Sequence, residues 1–188
     1  MRHRVLWVAL IAVLLTGGAR PCAAGPSAFH EYEVKAAFLY NFAKFVTWSP
    51  SAFDRPDAPI VIGILGDDPF GPFLEKVIED KVIGERSLEI RHLQSLDRIP
   101  RCHILFVSTS ERRRLSEILV ALRGLHVLTV SEMEPFARSG GIINFVVEEN
   151  RVKFEVNVAA AEAADLKISS KLLRLAQLVG DIRPEETD

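Results

Sequence analysis

This chain is poor in the residues that most chemistry needs. It has two cysteines, Cys22 and Cys102, among 188 residues. Once the leader described below is removed only Cys102 stays, so no internal disulfide is expected even in an oxidising compartment. Cys102 stands at the start of the apolar run HILFVS, where a buried, inert thiol is the expected state and an intermolecular bridge the alternative. Histidine is sparse too. His30, His92, His103 and His126 include no pair at ligand spacing on one helix. His103 and His126 precede neighbouring strands and could approach Cys102 at one sheet edge, but structural roles are expected for all three and no metal site is expected. No serine sits in a strand–turn–helix elbow among glycines, which argues against a nucleophilic hydrolase. Gly63, Gly66 and Gly71 fit neither a dinucleotide nor a P-loop spacing, so no nucleotide cofactor follows. Positive charge is not in excess either. Lys and Arg number 23 against 25 Asp and Glu, which disfavours a nucleic-acid partner.

Long apolar runs are confined to the first residues. MRHR is a short basic start, VLWVALIAVLL is the apolar core and CAA precedes Gly25, the layout of a secretory signal peptide over residues 1–24. A membrane span needs roughly 20 apolar residues, so this run is too short to remain as an anchor. ARP before Cys22 is a poor match to lipoprotein processing. Removing 24 of 188 residues leaves 164, enough for one domain with a core, residues 25–188. Three arginines leave with the leader, and the remainder carries a formal charge of −5.

What is present is an alternation of helices and strands. SAFHEYEVKAAFLYNFAKFVTW, Ser27 to Trp48, has helical periodicity, with Val34, Phe38, Phe42 and Phe45 on one face and Leu39 and Val46 beside them. Glu33 and Lys44 mark the opposite side. Asn41 lies within the aromatic face, where a buried amide needs partners. Ile60–Leu65 reads as a buried strand, Pro69–Asp80 as a helix, Leu88–Leu93 as a peripheral strand and Ile104–Val107 as another buried one. Arg112–Arg123 is helical and leads into the strand HVLTV. Such alternation implies parallel pairing with right-handed crossovers. GGIINFVVEENRVKFEVN then reads as two period-two runs joined at Glu149-Asn150, with Val152, Phe154, Val156 and Val158 on one face. ISSKLLRLAQLV closes the fold as a helix capped by Ser169 or Ser170. The fold class is therefore α/β: a mostly parallel central sheet flanked by helices, with a C-terminal antiparallel β-hairpin and a closing helix.

Two stretches invite a functional reading. VIGILGDDPFG ends a strand in paired carboxylates, as a phosphoacceptor site does. The rest of such a site is missing, since ILFVS ends in Ser108 and VLTV in Ser131 and Glu132. Asp68 before Pro69 fits an N-cap with proline at the first helical position, so Asp67 and Asp68 are expected to start a helix. A weaker use remains, a ligand crevice at the carboxyl ends of the strands formed by Asp67, Asp68 and Ser108. The basic cluster ERRRL, with Arg112 and Arg113, reads as a solvated face or as a docking point for an acidic partner. The apolar positions of the first helix cover more than one face, which leaves Tyr40 and Trp48 for a second chain.

EYEVKAAFLYNFAKFVTW, VIGILGDDPFG and GGIINFVVEENRVKFEVNVAAAEAADLKISSKLLRLA, in that order, resemble the signatures of the YfiR-like family from Glu31 to about Val179. The resemblance implies a small α/β protein of the Gram-negative periplasm, acting as a dimer and by contact. The best-known members bind the periplasmic sensor portion of an inner-membrane diguanylate cyclase and hold it inactive, which restrains cyclic di-GMP output and biofilm. An outer-membrane lipoprotein draws the repressor away. No catalytic residues come with the family. Its members often carry paired cysteines tied to a redox-dependent fold, a feature that Cys102 alone does not reproduce. The family also accompanies other sensors, such as histidine kinases, which leaves the partner open. A periplasmic small-ligand binder is the alternative reading.

Overall fold

The computed structural model describes residues 28–96 and 102–180; the expected leader, with Cys22, lies outside them. The first helix, α1 (Ala28–Phe45), ends before Trp48. Val46 and Thr47 leave it as a two-residue strand, β1 (Val46–Thr47), which pairs antiparallel with β9 (Lys167–Ile168). Between these lie β2 (Ile60–Leu65), α2 (Pro72–Ile78), β3 (Val82–Ile83), β4 (Arg86–Leu93), β5 (Ile104–Val107), α3 (Leu115–Ala121), β6 (Leu128–Ser131), β7 (Ile143–Glu148), β8 (Arg151–Asn157) and α4 (Val158–Ala163). After β9 come α5 (Ser170–Leu173) and β10 (Gln177–Val179).

The main sheet runs β10-β8-β7-β6-β5-β2-β4-β3. From β4 through β7 neighbouring strands are parallel. β8 returns antiparallel to β7, and β3 is antiparallel to β4 at the far edge. This is the expected α/β sheet. All six residues of β2 are buried, as a strand covered on both faces must be. One face is covered by α1, α2 and the segment from α4 through α5: Phe42 lies 5.7 Å from Phe145 and 5.2 Å from Phe154 between ring centroids. The other face packs Val61, Leu65, Leu105 and Val107 against Ile118, Met133 and Phe136. Among the described residues no helix is long and apolar enough to cross a membrane.

Several sequence expectations need correcting. The second helix starts at Pro72, not Pro69, with Gly71 as its N-cap at φ 52. Phe70 is buried instead, and only glycine takes that φ cheaply in the turn between the two. The segment from Arg112 to Arg123 is split into a 3-10 turn, Thr109–Arg114, and the short α3. The hairpin turns at Glu149 and Asn150, both with positive φ, but β8 stops at Asn157. The Asn157 side chain accepts from the Ala160 N–H at 3.0 Å and begins α4, so Val158 is helical. The closing helix is a single turn, α5, capped by Ser169; the residues after it form β10, parallel to β8. Asn41 is only partly buried.

His103 fastens the amino end of the sheet. Its Nδ1 accepts from the Val61 N–H at 3.0 Å, and Nε2 faces the Ala52 carbonyl at 3.1 Å as donor. The ring stacks on Phe53, centroids 4.3 Å apart. Burial, the largest effect, holds its pKa below the ordinary 6.5. The unfolded chain then takes up this proton near pH 6.5 while the folded chain resists it, so stability is full above that pH and falls on acidification. Thermal melts between pH 7.5 and 5 are expected to show that fall, and His103→Gln, which can accept and donate in the same place without titrating, is expected to flatten it.

Candidate functional site

Chain order places β4 on one side of β2 and β5 on the other. The carboxyl ends of β2 and β5 are therefore the switch point at which open α/β sheets take ligands. The three crevice residues predicted from sequence do gather there; the side chains of Asp68 and Ser108 are engaged by their own chain, whereas Asp67 is engaged only through its backbone and its carboxylate is exposed. Ser110 Oγ accepts from the Asp67 N–H at 3.0 Å. A side chain at Gly66 would collide with Ser110 and Glu111, which shows how closely this loop is filled. Asp68 accepts from the Phe70 N–H at 2.8 Å through one oxygen and faces His92 Nε2 at 2.8 Å through the other. It closes a turn and does not cap α2. Ser108 is buried, and its hydroxyl caps the 3-10 turn through the Ser110 N–H.

The open space lies one strand further along. A groove of about 420 Å³ sits at the carboxyl ends of β5 and β6, beside the first turns of α1. Lys35 lies at its base with the side chain 3% exposed, paired with both Glu31 and Glu132. The Tyr32 hydroxyl donates to the other Glu132 oxygen at 3.0 Å. Burial, reinforced by the Glu132 charge, pushes the Tyr32 phenol above its ordinary value, so it stays a donor. Glu132 thus has both oxygens satisfied, and the network ties the start of α1 to the end of β6. Sequence reading noted Glu132 but missed Lys35. The signal was there: Lys35 falls three or four residues from Phe38 and Leu39, within the buried stripe, with Glu31 one turn before it.

Arg112 and Arg113 are exposed on the rim turn. Arg112 donates to the Glu134 carbonyl at 3.2 Å, and neither residue is in an ion pair among the described residues. Arg114, by contrast, faces Glu111 at 3.4 Å and Glu117 at 3.3 Å. Tyr40 is partly exposed, with Lys44 Nζ 5.5 Å from its ring centre. Trp48 corrects an expectation: it is 7% exposed, and its indole donates to the His103 carbonyl at 3.2 Å, so it serves the core and offers no free face. Leaving the helix at Phe45 is what turns it inward. Cys102 is buried beside Gly63, and burial pushes its thiol up to about 11. Among the described residues no three metal-ligating side chains converge. Another cavity, about 660 Å³, lies near the opposite end of β6, between α3 and α4.

Lys35→Met is expected to cost up to about 3 kcal/mol, because it removes the cation from two partly buried carboxylates. Adding Glu132→Leu should recover much of that loss. Urea unfolding of the two variants beside the parent chain measures both.

A family model described as YfiR/HmsC-like matches residues 32–177, most of the chain, and the chain belongs to that family. Among solved structures, the ABC domain in complex with L-Trp from Streptococcus pneumonia is similar at 12% identity and a TM-score of 0.49, over 81% of this chain. The chain spans 60% of the length of that protein's chain. No curated protein matches it.

Proposed function

We propose, with membership of the YfiR/HmsC-like family as the premise, that this protein represses a membrane-bound signalling enzyme by direct contact. Members of the family are known as periplasmic regulators of diguanylate cyclases and are generally non-enzymatic. On this reading residues 1–24 are removed on export, and the remaining chain works in the periplasm as one domain and as a homodimer. It binds the periplasmic sensor portion of an inner-membrane diguanylate cyclase, restrains cyclic di-GMP output and biofilm, and is drawn away by an outer-membrane lipoprotein. A histidine kinase or other membrane sensor is the alternative partner. The family match over residues 32–177 carries the proposal.

The surface supports contact better than ligand capture. In the crevice the side chains of Asp68 and Ser108 are taken up by their own chain, whereas Arg112 and Arg113 are exposed and in no ion pair among the described residues. Tyr40 on α1 is a second proposed contact. Charges of this kind at an interface rim mainly set the rate and selectivity of encounter.

Deleting the gene is expected to raise cyclic di-GMP and biofilm. Restoring it with Arg112→Glu and Arg113→Glu together should return the protein at normal abundance but not the repression. No change on deletion would point to a different sensor. Full repression by the double variant would move the contact elsewhere. The mass of the exported protein checks the leader: it is expected to begin at Gly25, and a chain starting at Met1 or lipidated on Cys22 would contradict that.

A further inference from the structure

β7 runs on beyond the end of β6. Their register pairs Val130 with Ile143 and Ser131 with Asn144 and stops there, while β8 stays paired with β7 as far as Glu148. Glu148 and Arg151 flank the two-residue turn, so they form a hydrogen-bonded pair. Alternation along the ladder then directs the backbone N–H and C=O of Val147 away from β8, toward the side where β6 is missing. Among the described residues no strand pairs with β7 on that side past Asn144. The 420 Å³ groove lies where β6 would have continued, with Val146 and Val147 on one wall, Tyr32 and Lys35 at the base, and Thr109 and Arg112 opposite. Val147 is 48% exposed.

We propose that this groove receives an extended, acidic peptide segment of a partner protein, paired along Val147 as a short added strand with a carboxylate on Arg112. The proposal rests on the reading of the protein as a contact regulator and names the chemistry of the contact. A free strand edge is recognised by another backbone, and alternate side chains of the added strand then meet the groove walls. The volume suits a few residues and not a folded element. Charge selects the sign. At the base Glu31 and Glu132 outnumber Lys35, and Glu134 adds a third carboxylate to the lining, so an added carboxylate is received only at Arg112, an exposed rim cation in no ion pair among the described residues, with Arg113 next to it in the chain.

The probe is acetyl-Val-Asp-Val-Glu-Val-amide, compared with a version N-methylated at alternate amides and a version with lysine for both acids. Amide NMR shifts and hydrogen exchange of the purified protein are the readout. The acidic peptide is expected to protect the Val147 N–H and to bind about tenfold more tightly than either control. Arg112→Glu is expected to abolish the preference for acid over lysine. Val147→Pro removes the N–H that faces the groove while sparing the ladder to β8, and should abolish protection; should that variant fail to fold, Arg112→Glu decides the matter alone. Equal binding of the N-methylated peptide, or an unprotected Val147 amide, overturns the proposal. A deletion that raises cyclic di-GMP in cells whose purified protein ignores the peptide would keep the regulator and remove this groove from its mechanism.

Discussion

A parallel sheet buried on both faces has to be covered on both faces, and on one of them the largest cover is α1. Its partners are distant in sequence: Phe42 is wedged between Phe145 and Phe154, from the hairpin near the other end of the chain. The first helix is therefore unfinished until the last strands are made. Apolar contact alone tolerates rotation and sliding of a helix. A buried lysine between two carboxylates does not, because a shift strands a charge. Lys35, held by Glu31 on its own helix and by Glu132 at the end of β6, sets the depth and rotation at which the aromatic face meets the sheet.

The same anchoring shapes the carboxyl end of the sheet, where α/β proteins keep their sites. At the switch point the loop after β5 folds back over the loop after β2, with Ser110 bonded to the Asp67 backbone and Asp68 turned onto Phe70 and His92. Apart from the exposed Asp67 carboxylate, the polar groups there are spent on closing turns. One position along, the chain leaves β6 after Ser131 to bring Glu132 under α1, and β7 goes on without it. The groove is a consequence of the anchor: the strand that would have filled it ends so that its next residue can reach Lys35.

The alternation of apolar runs was enough to read the α/β class, the buried strands and the hairpin, because buried parallel strands carry little besides apolar residues and Glu149-Asn150 is a turn in any context. The ends of helices were harder. Asp68 and Pro69 satisfy the local rules for a helix start, yet burial of Phe70 outweighed them and moved the start to Pro72. The residues from Gln177 to Val179 suit a helix by pattern, but the open edge of β8 offered backbone partners and captured them as β10. Trp48 was misplaced for a related reason: its hydrogen bond to the His103 carbonyl joins segments that no local pattern connects. The Lys35 network is legible only in half: Glu31 lies four residues away on the same helix, whereas Glu132 lies 97 residues away, where no local pattern reaches.

What the folded chain leaves unspent bears on how such a protein acts. Asp68 and Glu132 at the strand ends are tied to backbone, histidine, tyrosine or lysine, Cys102 is buried, and burial in the core holds the pKa of His103 down. Groups so committed move only if the fold moves. Arg112, Arg113 and the outward backbone of Val147 are different, since their engagement costs no internal bond to a carboxylate or to β8. Both kinds of group recognise protein: a guanidinium takes a carboxylate and a strand edge takes another strand. A repressor that holds its target by such groups can also be drawn away by a competitor presenting the same chemistry, with no change in its own core. Contact through such groups leaves the interior undisturbed, and in this chain the line between the committed interior and the open rim falls at the end of β6.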